Sequence, residues 1–175
     1  MDDKELLLQQ LKEGIDSYIK ENYVSKVYHE IRFSIAKSPH DEEDLCLESA
    51  LPNRNLDDVL EHINGTFQQA MFYYIDSKHL DEVKVYNDAH IDRRLFSKIR
   101  SNKDFKPSKK TAICLCMGLK LNLDETNDLL EKAGYTLSHS SKADLIVEYF
   151  ITIKEYNLDI LNQVLYDYGE DILYV

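Results

Sequence analysis

Apolar residues recur three and four positions apart along most of this chain, the spacing that places them on one face of an α-helix. The pattern predicts an amphipathic helix over residues 3–20. Seven further helices are predicted over residues 56–77, 81–89, 92–100, 107–120, 122–134, 142–156 and 159–168. Only five glycines and three prolines interrupt the 175 residues, so the sequence predicts an all-α fold.

Two prolines and an acidic run break this pattern over residues 38–55, which we interpret as a linker. The chain is therefore predicted to comprise an N-terminal helical segment (1–37), the linker, and a helical domain (56–175). Within the first segment, residues 23–37 fit either a second helix or a short strand.

A homodimer contact has two candidate surfaces in the sequence. One is the Tyr-rich C-terminus. The other is the apolar face of the first helix, which carries Leu7, Leu11, Ile15 and Tyr18.

Several classes of chemistry lack the residues they need. None of the six histidines stands at ligand spacing from a cysteine or an acidic residue, and the sequence has no glycine-rich phosphate loop. Cys46, Cys114 and Cys116 form no C-x-x-C and are interpreted as buried free thiols in a reducing compartment. No apolar run approaches the ~20 residues of a membrane span, and the acidic start does not fit a signal peptide. We expect a cytoplasmic protein, not an enzyme, without metal or cofactor and not bound to a membrane.

Positive charge is concentrated in one part of the chain. Residues 84–110 contain nine Lys and Arg against three Asp, a net charge of +6. Because the whole chain carries −11, the remainder carries −17. Such segregation indicates a surface that meets an anionic partner.

The same region has the residue order of a helix-turn-helix. Two short predicted helices with inward apolar residues are joined by a tight turn, and a basic loop ending in Pro107 follows. The inward residues are Val83, Val85, Ala89, Ile91, Leu95, Phe96 and Ile99. The run Leu-Lys-Leu-Asn-Leu-Asp-Glu at 119–125 closes the pattern. On these residues, the segment 81–130 resembles the lambda-repressor-like, XRE-type helix-turn-helix domain, which implies a five-helix core that binds DNA.

The sequence departs from that family's pattern at four positions. Tyr86 replaces a small residue and His90 replaces the glycine of the turn, while Arg100 and Asn102 replace an acidic residue and a glycine. A wider segment, from residue 56 to the end, is similar to a helix-turn-helix-like module at the C-terminus of bacterial macro-domain and other defence-neighbourhood proteins. That resemblance implies an accessory or regulatory module linked to phage defence.

A recognition helix over 92–100 predicts a nucleic-acid interface. Its outer face would offer Arg93, Arg94, Ser97, Lys98 and Arg100, with the first residues reaching base edges. The phosphates would be bound by Ser101, Lys103, Lys106, Ser108, Lys109 and Lys110. We expect DNA as the partner and a dimer as the binding form.

Two alternatives remain open from the residues alone. The basic residues can form an ordinary solvated face, or they can bind an acidic protein surface in a partner or in this chain. The acidic residues 41–48 are the internal candidate, and neutralising 41–44 is then expected to raise DNA affinity at low salt. The alternative function is that of a non-catalytic adaptor or inhibitor that binds another protein through the same scaffold. A defence-system protein is one candidate partner, and imitation of nucleic acid by the acidic remainder is one way in which an inhibitor could act.

Overall fold

The structure, a computed structural model, describes residues 3–23 and 65–174. These residues form eight α-helices and no β-strand, so the predicted all-α fold is confirmed. In chain order the helices are α1 (Asp3–Asn22), α2 (Phe67–Ser77), α3 (Glu82–Asp88), α4 (Arg93–Ser101), α5 (Lys109–Gly118), α6 (Leu123–Lys132), α7 (Lys142–Thr152) and α8 (Leu158–Asp167).

Polar N-cap residues start each helix from α2 to α8. Each of these side chains accepts a hydrogen bond from a backbone N–H of the first turn, which satisfies a donor that has no partner within the helix. The caps are Thr66, Asp81, Asp92, Ser108, Asn122, Ser141 and Asn157. The helix predicted over 92–100 therefore begins at Arg93, with Asp92 as its cap.

A shared backbone motif ends six of the helices. The residue just beyond each C-cap has a φ between 51° and 81°, at His79, His90, Lys120, Gly134, Lys154 and Gly169. Its N–H donates to the carbonyl three residues earlier, and the next N–H donates to the carbonyl five residues before it. This is the Schellman motif, in which glycine is the usual residue at that position. Four of the six positions carry a side chain instead.

Several predicted details of the helices are corrected by the structure. The helix predicted over 56–77 begins at Phe67, because Thr66 caps it, and residues 56–64 lie outside the described part of the chain. The helix predicted to open at Pro107 begins at Lys109, because Ser108 is its cap and the proline precedes it. Val83, predicted to face inward, is 50% exposed.

Helix α5 lies in the middle of the core, and every residue from Thr111 to Gly118 is buried. Helix α3 packs across its C-terminal end. A Cβ added to Gly118 would lie 2.6 Å from the carbonyl oxygen of Val85 and 2.8 Å from the Cβ of Ala89. The close approach of α3 and α5 therefore requires glycine at this position.

Helix α1 packs against α7 and α8 within the same compact unit as the later helices. Leu11 and Ile15 are buried in the core, and the Tyr18 hydroxyl donates a hydrogen bond to Glu148 over 2.9 Å. Leu11 and Ile15 are therefore not available for the dimer contact predicted for them, because they already pack within the chain. Leu7 is 37% exposed.

The two described cysteines are buried free thiols, as predicted. Burial raises the pKa of the Cys114 thiol to about 12, and its sulfur donates to the carbonyl oxygen of Leu173 in the C-terminal tail. Cys46 lies outside the described residues. None of the described helices is long and apolar enough to cross a membrane.

Candidate nucleic-acid interface

Helix α4 presents one buried face and one exposed face. Its N-cap, Asp92, accepts a hydrogen bond from the N–H of Arg94 at 2.6 Å. Phe96 and Ile99 are buried, whereas Arg93, Arg94, Ser97, Lys98, Arg100 and Ser101 are exposed. The predicted outer face of this helix is thus its solvent face.

Aromatic packing holds the middle of α4. The ring of Phe96 lies 6.2 Å from that of Phe72 in α2 and 5.5 Å from that of Tyr86 in α3, measured between centroids. Tyr86 is one of the departures from the family's pattern, and here its ring fills space beside Phe96. The larger residue therefore contributes to the contact between α3 and α4.

The turn between α3 and α4 keeps a left-handed backbone without glycine. His90 has a φ of 52°, and its N–H donates to the carbonyl of Asn87. The next residue, Ile91, is buried and donates to the carbonyl of Tyr86. The second departure thus changes the side chain of the turn and leaves its left-handed conformation in place.

The loop after α4 folds back beside the helix. Asn102 accepts a hydrogen bond from the N–H of Asp104 at 3.0 Å, and the ring of Phe105 lies 5.6 Å from the ammonium of Lys98. Lys103 lies two positions before Phe105 and Lys106 directly follows it, and both lysines are exposed. The loop therefore places Phe105 beside Lys98 of α4 and leaves its two lysines open to solvent.

Five of the predicted contact residues are exposed cations without an acidic partner in residues 3–23 and 65–174. No described carboxylate lies within 4.0 Å of their charged groups. They are Arg93, Arg94, Lys98, Lys103 and Lys106, and we refer to them as the cation patch.

Three other predicted cations form ion pairs within the chain. Arg100 pairs with Glu82 of α3, and Lys109 pairs with the buried Asp144 at 2.6 Å. Lys110 lies 3.4 Å from Asp171 and donates to the carbonyl of Ile172 at 3.1 Å. These three side chains are therefore less free to bind phosphate than the cation patch.

The predicted serines differ in whether their hydroxyl groups already form hydrogen bonds within the chain. Ser97 is exposed on α4, whereas the Ser101 hydroxyl donates back to the carbonyl of Lys98 at 3.2 Å. The Ser108 hydroxyl oxygen accepts from the N–H of Thr111 at 3.1 Å and contacts the Thr111 hydroxyl at 2.8 Å. Ser108 thus serves as a helix cap.

The residues around Arg100 were missed by sequence reasoning. Gln68, Phe72 and Glu82 lie 18 to 32 positions away from Arg100 along the chain and come from two other helices. A local pattern carries no signal for such contacts.

The acidic residues 41–48, predicted to dock on the basic residues, lie outside the described part of the chain.

Comparisons with protein-family models, with curated proteins and with solved structures found no match.

Proposed function

We propose that the cation patch binds the phosphate backbone of DNA and that the protein is a non-catalytic, cytoplasmic transcription regulator. The observation that carries the proposal is the contrast among its cations. Arg100, Lys109 and Lys110 have acidic partners, while the five cations of the patch have none among the described residues. A chain with a net charge of −11 has carboxylates in excess, so cations left unpaired favour an external anion.

The shape of the site supports DNA as that anion. A nine-residue helix with an exposed face can enter the major groove, and Arg93 and Arg94 stand at its start. Arginine at that place suits the two acceptors of guanine. The lysines of the following loop would then bind phosphates on either side of the groove.

The segment 81–130, which carries the resemblance, contains four consecutive short helices, α3 to α6, and α3 and α4 are joined by a four-residue turn. That turn supports the proposal, although the resemblance implies a core of five helices. A regulator on this scaffold reads too few base pairs alone, so we propose that it acts as a dimer. A role in phage defence rests on the wider resemblance only.

The test is binding of a labelled duplex DNA, followed by fluorescence anisotropy at about 50 mM salt, where phosphate contacts are strong. The variant R93A/R94A is expected to bind at least about tenfold more weakly, because two counterion-releasing contacts are lost. The control K20Q/K154N removes the same charge from two exposed lysines outside the basic region. Equal losses in the two variants, or no binding by the native protein, would overturn the proposal.

A second candidate function, binding of another protein, rests on exposed tyrosines. Tyr73, Tyr166 and Tyr174 are 63%, 72% and 62% exposed, and tyrosine is enriched where proteins meet. For an adaptor or inhibitor, Y166S/Y174S is expected to abolish recovery of a specific partner in a pull-down, whereas R93A/R94A retains it. The reverse pattern would favour the DNA-binding function.

A further inference from the structure

Arg100 differs from the other cations of α4 in its surroundings. Its guanidinium pairs with Glu82 in the first turn of α3, and its Cζ lies 5.7 Å from the centroid of the Phe72 ring in α2. Its backbone carbonyl accepts a hydrogen bond from the side-chain amide of Gln68, also in α2. Three helices therefore meet at the last turn of α4.

This meeting point determines where the end of α4 lies. A helix of nine residues has little stability of its own, so its orientation depends on tertiary contacts. Phe96 anchors its middle against Phe72 and Tyr86. Contacts at Arg100 supply a second anchor, and two anchors along one axis fix the direction of the helix.

We propose that Arg100 is a positioning residue that does not contact DNA and that holds α4 in the orientation in which the cation patch meets the duplex. The proposal rests on the proposed function. Arg100 suits this role because guanidinium can pair with a carboxylate and stack on an aromatic ring at the same time. A lysine has no planar group with which to do both.

The first test replaces Glu82, the acidic partner of Arg100, with glutamine. Because DNA is anionic, removing a carboxylate near the interface is expected to raise affinity when that carboxylate has no structural role. The control is D104N, at an exposed aspartate of the basic loop. We expect D104N to leave affinity equal or higher and E82Q to lower it about fivefold, the effect of losing one partly exposed ion pair. E82Q affinity equal to or above that of D104N would overturn the proposal.

The second test separates positioning from phosphate contact. A cation that binds phosphate contributes about 0.9 to the slope of log affinity against log salt concentration. R100Q is expected to lower affinity about fivefold and to leave that slope unchanged. R100K keeps the positive charge, and it is nevertheless expected to lower the affinity for DNA to a similar extent. A slope reduced by about 0.9 in R100Q, or full affinity in R100K, would identify Arg100 as a phosphate contact instead.

The two proposals fail in different ways. If R93A/R94A binds as well as the native protein, the DNA-binding proposal itself is wrong. If R93A/R94A loses affinity while E82Q and R100K do not, only the positioning role is wrong. Circular dichroism of each variant confirms that its helical content is native, so that a loss of affinity cannot be due to unfolding.

Discussion

Replacing Gly118 with alanine is expected to force α3 away from α5. The new Cβ would lie 2.6 Å from the Val85 carbonyl oxygen, whereas ordinary contacts begin at 3.4 Å, so the backbones must separate by several tenths of an ångström. Overpacking of this kind costs about 1–3 kcal/mol, and alanine returns less than about 1 kcal/mol of helix propensity at the last residue of α5. We expect a net loss of about 1–2 kcal/mol, and a Tm lower by roughly 3–6 °C for a chain of this size.

Urea unfolding followed by circular dichroism measures the loss, and two further variants test its cause. G118A/A89G removes the 2.8 Å contact with the Ala89 Cβ and keeps the backbone contact, so we expect partial relief and a coupling above about 0.5 kcal/mol. G14A is the matched control, because its new Cβ would meet the hydroxyl end of the Tyr149 side chain, which can move. A G118A protein as stable as the native one, or effects that add without coupling, would refute the close-packing argument.

Three other substitutions test separate contacts by chemical denaturation. Y18F is expected to lower stability by about 1 kcal/mol at pH 7, because it removes the hydrogen bond to Glu148. Burial, followed by that hydrogen bond, raises the pKa of Tyr18 to about 12, so its contribution is full below about pH 10 and disappears as the pH rises towards 12. H90G is expected to raise stability by about 0.5–1 kcal/mol, because the φ of 52° strains a residue with a Cβ. K109M is expected to lower stability by about 2 kcal/mol, because it leaves the buried Asp144 without its cation.

Each of these expectations has a contradicting outcome. If the difference in free energy of unfolding between Y18F and the native protein persists unchanged to pH 12, the hydrogen bond from the Tyr18 hydroxyl to Glu148 is not its cause. A less stable H90G would mean that the histidine ring contributes more than its backbone strain costs. An unchanged K109M would mean that water screens Asp144 despite its burial.

Much of the fold was predictable because helix signals are local. The spacing of apolar residues and the capping side chains lie within a few positions of the helices they define, so the ranges predicted as 92–100 and 122–134 start at the observed caps, Asp92 and Asn122, and the second ends at Gly134. The start of α2 was predicted too early. Apolar residues keep a helical spacing on both sides of Gly65 and Thr66, so spacing alone gives no boundary there, whereas the cap formed by Thr66 does. Val83 shows that a seven-residue helix is too short for periodicity to assign its faces reliably.

The candidate site was predictable in its outline and not in its pairing. Exposure of Arg93, Arg94 and Lys98 follows from the amphipathic pattern of α4. Glu82 and Asp144, the acidic partners of Arg100 and Lys109, lie in other helices. A count of charges along the sequence does not show which cations form such pairs. Counting charge in the sequence thus overestimated the number of cations free for phosphate, because tertiary ion pairs engage three of them.

The salt dependence of DNA binding measures directly whether the cation patch meets phosphates. Phosphate contacts by the three lysines of the patch give a slope of log affinity against log salt concentration of about −2.7 per protomer, and phosphate contacts by Arg93 and Arg94 in addition to their base contacts would extend it to at most about −4.5. Removing three of the cations in K98A/K103A/K106A is expected to reduce its magnitude by up to about 2.7, whereas K20Q/K154N leaves it unchanged. A native slope near zero, or one that the triple substitution does not alter, would mean that the cation patch does not bind phosphates.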